Sequence, residues 1–169
     1  MLTECIESIF KSNYSEIEVI LIDNNSSDNS HNHCKSKFPQ INLIENNENL
    51  GMSARNIGIN NANGKFVVFL DSDTVVEKNW LSILLERFRE NGDGLYQAKL
   101  LDRHDRTIIN SAGNMINIFG LGYSRGKGEI DNGTYDIFQE VSYTSGACTF
   151  SSKEIFKKIG IVKRCLLVL

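Results

Sequence analysis

Three short apolar runs, each ending in a polar cluster, constrain this chain more than anything else in it. They are IEVILID (17–23), INLIEN (41–46) and FVVFLD (66–71), and helical patterns separate them. Each run is too short for a helix and rich in β-branched residues, which marks a buried strand. Before the first, Leu2, Cys5, Ile6, Ile9 and Phe10 recur at the spacing of one apolar helix face. NNSSDNS breaks the first strand and starts a helix that ends near Phe38, before Pro39. A short helix spans 52–61, and Trp80, Ile83, Leu84 and Phe88 mark another after the third strand. Strand and helix alternate, so the expected class is α/β, with a mostly parallel central sheet between helical layers.

After Asn91 the pattern changes. GLYQAKLL and TIIN look like strands, and the glycine-dense stretch 120–136 suggests a mobile loop or a hairpin with a long connection. EVSYTSGACTF returns to strand, and SSKEIFKKIG is a helix capped by Ser151 or Ser152. At 169 residues this is one domain, divided into a half at 1–90 and a second half at 91–169. A net charge of −3 argues against a nucleic-acid partner. No apolar run nears the roughly 20 residues that span a bilayer. Cys5, Cys34, Cys148 and Cys165 lack metal-type spacing and suit reduced thiols of a cytosolic protein.

The acids at the strand ends carry the chemistry. In an open parallel sheet, ligands bind beyond the carboxyl ends of the strands. Asp23 ends one strand there, where it either caps the next helix or meets a ligand. Asp71 ends another, and Asp73 follows at a spacing that shares one side if the strand stays extended through Thr74. Two like charges on one side call for a hard cation, and Mg²⁺ is often held by one or two carboxylates plus substrate phosphates. Capping of the helix near Lys78 is the plainer role for Asp73. In ENLGMSARNIG, Gly51 permits a tight turn and Arg55 lies one helical turn beyond it, matched to phosphate or carboxylate geometry or simply solvated.

Together, IEVILIDNNSSDNS, ENLGMSARNIGINNANGKFVVFLDSDT and VSYTSGACTFSSKEIFKKIG resemble the family 2 inverting glycosyltransferases, whose nucleotide-diphospho-sugar transferase fold is called GT-A. DNGTYD and SGAC look most like the rhamnosyltransferase-like branch of surface polysaccharide synthesis. The resemblance implies a UDP- or dTDP-linked sugar donor and a saccharide or lipid-linked acceptor. It makes 1–90 the nucleotide-binding half and 91–169 a partial acceptor-side half. Asp23 would accept a hydrogen bond from the base, with Asn24 and Ser26 nearby. Asn49, Gly51, Arg55 and Asn56 would line the nucleotide and its phosphates, with Ser72 beside them. Asp71 would lie near ribose and metal, and Asp73 would ligate Mn²⁺ or Mg²⁺. Gly146 and Ala147 would line the donor-sugar and acceptor side, unless they serve only a tight junction. The loop with Arg125 and Lys127 would close over the donor or remain an ordinary solvent loop.

Against the family pattern, the first strand is missing and no Asp or Glu follows Glu154. The expectation is a partial domain with an unpaired sheet edge prone to association and with the general-base segment absent, so that it transfers sugar poorly. The resemblance places such a protein on the cytoplasmic side, at the inner face of the membrane. Two rivals stand beside it. One is a non-catalytic nucleotide-sugar-binding remnant. The other is a haloacid-dehalogenase-type phosphatase, with Asp71 of VVFLDSDTV as nucleophile and Asp73 as acid/base.

Overall fold

A computed structural model describes residues 1–159 of the chain. The Lys163-Arg164 pair and Cys165 lie outside the described residues.

Helix α1 (Leu2–Phe10) turns its apolar face inward through Cys5 and Ile6, as the periodicity predicts. Strand β1 (Ile20–Asp23) is shorter than its apolar run and pairs in parallel with β2 (Asn42–Glu45). Helix α2 (Ser30–Lys37) lies between them in sequence and ends at Phe38, before Pro39. Leu21 packs with Ile6, Cys34 and Ile41, in the cluster shared by α1 and α2. The next side chain, Ile22, meets α3 (Arg55–Asn61) at Gly58, where a Cβ would stand 3.2 Å from Ile22 Cδ1. Successive strand side chains point to opposite faces, so helices cover β1 on both sides.

Strand β3 (Phe66–Leu70) pairs antiparallel with β8 (Cys148–Ser152). Beyond β8, Tyr96 and Phe150 exchange two backbone hydrogen bonds of 2.8 Å. Helix α4 (Trp80–Asn91) covers this sheet, with Leu81, Leu84 and Leu85 buried against Tyr96, Cys148 and Phe150. Ile83, expected on its inner face, is instead exposed. Phe150 is fully buried at the centre, its ring within 6.2 Å of those of Phe66, Phe88 and Tyr96.

The second half is less regular than its sequence suggests. GLYQAKLL yields only β4 (Leu100–Leu101), which pairs antiparallel with β5 (Ile109–Ser111). The glycine-dense stretch contains half of a hairpin, β6 (Asn114–Ile116) against β7 (Gly122–Ser124). Arg125 is held by the Ala112 carbonyl at 3.2 Å and stacks on Tyr135. Helix α5 (Lys153–Ile159) follows β8 directly, and the Ser152 hydroxyl accepts the Ile155 N–H in the N-cap manner. A mostly parallel sheet is therefore corrected: of the described ladders only β1–β2 is parallel. The reason is that β3 takes its partner from the far end of the sequence, β8, rather than from β1. Among the described residues β1 and β3 each keep one unpaired edge.

Candidate functional site

Two acids stand beyond the ends of β1 and β3, in opposite environments. Asp23 is 8% exposed, and its Oδ2 accepts the Ser26 N–H at 3.2 Å. Asn25 and Asn29 both take positive φ, a conformation asparagine tolerates, and the loop between them leads into α2. That turn brings His31 against Asp23, its Nδ1 3.3 Å from Asp23 Oδ1, while Nε2 stands 3.2 Å from Glu45 Oε1 on β2. His31 was not legible as a site residue. Its partners come from two strands that only the fold brings together.

The segment after β3 corrects the extended-strand expectation. The Thr74 N–H donates to the Asp71 carbonyl at 3.0 Å, so 71–74 is a turn and the simple same-side argument for Asp71 and Asp73 fails. Nor does Asp73 cap a helix, since α4 begins at Trp80. Its carboxylate is exposed and makes no hydrogen bond or ion pair among the described residues. Its backbone carbonyl accepts from Arg103 Nη1 at 2.6 Å, and Arg103 also meets Glu4 of α1. This clamp comes from a segment the motif does not include.

Asp71 is not the unpaired acid that the sequence suggests. Arg55 reaches back from α3 as expected, but its Nη2 lies 2.8 Å from Asp71 Oδ1 and donates to the Gly146 carbonyl at 3.0 Å. Its guanidinium also sits 5.3 Å from the centre of the Phe69 ring. The Ala147 carbonyl accepts the Asp71 N–H at 3.1 Å. A Cβ at Gly146 would meet Arg55 Nη1 at 2.9 Å, so a larger residue there would make the end of the Arg55 side chain shift. Arg55, Asp71, Gly146 and Ala147 thus form one bonded unit, and all four are expected site residues, drawn from three separate segments of the sequence.

Asn24 and Asn49 are largely spent on each other. Asn24 Nδ2 donates to Asn49 Oδ1 at 2.8 Å, and Asn24 Oδ1 accepts the Leu50 N–H at 2.9 Å. Asn49 Oδ1 also accepts the Gly51 N–H at 2.8 Å, and Gly51 takes a φ of +56°. These residues shape the loop that enters α3. Asn56 lies on the first turn of α3, half-buried.

A cavity of about 680 Å³ joins the two strand ends. Asp23, Ser26 and His31 line one side, Leu2 and Thr3 of α1 another, and Ser72 of the acidic turn a third. At the acidic turn, which reaches the cavity only through Ser72, a cation would find the carboxylates of Asp73 and of Asp71, the latter shared with Arg55. Among the described residues no cluster of three or more His, Cys, Asp or Glu could hold a metal alone. Hard carboxylate oxygens that leave coordination positions for ligand oxygens fit Mg²⁺ or Mn²⁺. Burial, reinforced by the Asp73 charge, pushes the Cys5 thiol up to about 11. Burial alone as the main cause does the same for Cys148, also to about 11. Both stay protonated at neutral pH and are unsuited as nucleophiles or thiolate ligands.

Comparison with known proteins identifies the family and the fold. The family model described as Glycosyl transferase family 2 matches residues 1–160. Glycosyltransferase GlyG of Streptococcus pneumoniae is 38% identical over 93 residues, which cover 53% of this chain and 31% of that protein. The structure of Staphylococcus aureus TarS 1-349 superposes with a TM-score of 0.63 at 21% identity, covering 94% of this chain and 44% of that one. GalNAc-T7, solved with UDP, GalNAc and Mn²⁺, gives a TM-score of 0.68 at 17% identity, over 95% of this chain and 33% of that one. The described residues therefore adopt a GT-A-like α/β fold. The match spans about a third of the length of GlyG and about a seventh of GlyA, another curated relative in Streptococcus pneumoniae.

Proposed function

Because the chain belongs to glycosyl transferase family 2, we propose that its two strand ends form the donor site for a nucleotide-diphospho-sugar, with Asp23 at the base and Asp73 at the diphosphate. The observation that carries this is the shared cavity, which has Asp23 on one wall and Ser72 of the acidic turn on another. It sets the buried acceptor Asp23 in one space with Ser72, the residue between Asp71 and the exposed Asp73, although neither of those two acids lines the cavity itself. The phosphatase alternative is set aside, because the family match places VVFLDSDTV in a glycosyltransferase and Asp71 is engaged by Arg55.

Asp23, ionised, is an acceptor only. It suits a base that presents a ring N–H, such as uracil or thymine, and Ser26 fixes one of its oxygens. Asp73, with help from Asp71 and the phosphates, would hold Mn²⁺ or Mg²⁺. When bound, the cation neutralises charge on the diphosphate leaving group. Arg55 keeps Asp71 in place and ties it to Gly146, so the start of β8 stays beside the site. Asn24, Asn49 and Gly51 set the loop beneath the nucleotide, with Asn56 beyond them. Gly146 and Ala147 offer a small-residue wall to the donor sugar. The acceptor is a saccharide or lipid-linked chain of a surface polysaccharide, a proposal that rests on the likeness of DNGTYD and SGAC to the rhamnosyltransferase-like branch. No helix among the described residues is long and apolar enough to cross a membrane.

The test is isothermal titration with UDP, dTDP and GDP, each with Mn²⁺ and with chelator. Metal-dependent binding of at least one supports the site. Binding of none, or binding indifferent to metal, would refute it.

A further inference from the structure

The ring of His31 is 8% exposed, and its Nδ1 is buried without an aligned hydrogen-bond partner although Asp23 Oδ1 is only 3.3 Å away. A buried polar atom left unsatisfied is costly, so its position calls for an explanation. The protons on the ring can be placed from its other side. Asn32 Nδ2 donates to Asn29 Oδ1 at 2.7 Å and stands 2.9 Å from His31 Nε2. The amide nitrogen has only hydrogens to offer, so Nε2 of the neutral ring accepts and Nδ1 carries the proton. Glu45 Oε1 also stands 3.2 Å from Nε2. The N–H at Nδ1 then lies on the Asp23 side of the ring, with Nδ1 3.3 Å from Oδ1 but not aligned on it.

Asp23 is then bracketed. Ser26 holds Oδ2 and His31 faces Oδ1, while an ionised carboxylate has about four acceptor positions. The positions left over open on the cavity that Asp23 and His31 both line. Hydrogen bonds of this kind are often long without ligand and tighten when the site is filled.

We propose that His31 is a positioning residue of the base pocket: its Nδ1–H sets the Asp23 carboxylate so that a free lone pair meets a ring N–H of the ligand. This rests on the donor-site reading above and adds a specificity determinant to it. The pocket then selects bases with a ring N–H at that edge, as in uracil, over those with a bare ring nitrogen there, as in cytosine.

The experiment is titration of the 169-residue chain with UDP, CDP and inorganic pyrophosphate, all with Mn²⁺, for wild type, His31→Leu, His31→Asn and His31→Gln. Asparagine can place an amide N–H near the Nδ1 position, whereas glutamine carries it farther out. Wild type should prefer UDP to CDP. His31→Leu should lose about tenfold in UDP affinity, the scale of a hydrogen bond to a charged group, with pyrophosphate affinity unchanged. His31→Asn should stay close to wild type and His31→Gln should behave like leucine. The two polar variants decide the matter even where the leucine variant does not fold. Equal UDP affinity in His31→Asn and His31→Gln, or parallel losses for UDP and pyrophosphate, would overturn the positioning role alone. Wild type binding UDP no better than CDP or pyrophosphate would overturn both this role and the base assignment of Asp23.

Discussion

The ends of β1 and β3 each present an aspartate, and the fold treats them in opposite ways. Asp23 is buried and bracketed by Ser26 and His31. Asp73 is exposed, and no described side chain engages its carboxylate. A buried, oriented acid has lost its freedom and most of its water before ligand arrives, which suits a directional hydrogen bond. An exposed, unpaired acid keeps its full charge for a cation, which demands charge more than direction. Asp71 stands between these extremes, half-exposed and bound to Arg55. The proposed roles follow this contrast in neighbours: base recognition at the Asp23 end and metal recognition at the Asp73 end.

Substitutions should separate the two roles. The largest effect is expected from Asp73→Ala, with UDP affinity in Mn²⁺ falling by about a hundredfold through loss of a cation–diphosphate bridge. Calorimetry in Mn²⁺ reads this directly, and stability should hardly change because no described side chain engages the carboxylate. Asp23→Ala comes next, at roughly tenfold to a hundredfold for a lost hydrogen bond to a charged group. Its loss should fall on the nucleotide and spare inorganic pyrophosphate. Smaller still is Gly146→Ala, which pushes the Arg55 guanidinium off the Gly146 carbonyl and loosens Asp71. A loss of about threefold to tenfold is expected there, the scale of one ordinary hydrogen bond, with a modest fall in melting temperature. Smallest is a chemical prediction. Cys5 lies under the acidic turn, its thiol donating to the Asp71 carbonyl at 3.7 Å, with a pKa of about 11. Its alkylation at pH 7 should be slow, rising only as pH approaches that value. Peptide mapping after brief labelling measures this, and rapid labelling of Cys5 would show that the turn opens.

How legible this was in the sequence follows the range of the interactions. The helix and strand alternation of 1–90 is local, set by periodicity and β-branched runs, and β1, β2, β3 and α1 to α4 appear where those signals stand. Arg55 reaching the sheet edge was legible from Gly51 and one helical turn, but its carboxylate partner was not. That pairing needs β3 and α3 docked together. The turn at 71–74 was missed because apolar residues on both sides of the acids suggest a continuing strand, whereas a local backbone hydrogen bond ends it. GLYQAKLL looked like a full strand, yet pairing at Tyr96 and then at Leu100–Leu101 uses only its ends. His31 and Arg103 carried no local signal at all, since each acts on an element distant in sequence.

The most direct measurement is the ratio of UDP affinity in Mn²⁺ to that in chelator, determined for wild type, Asp23→Ala and Asp73→Ala. The division of labour between the two strand ends predicts a large ratio in wild type, a similar ratio in Asp23→Ala despite weaker binding throughout, and a ratio near one in Asp73→Ala. A ratio that survives in Asp73→Ala, or collapses in Asp23→Ala, would contradict it.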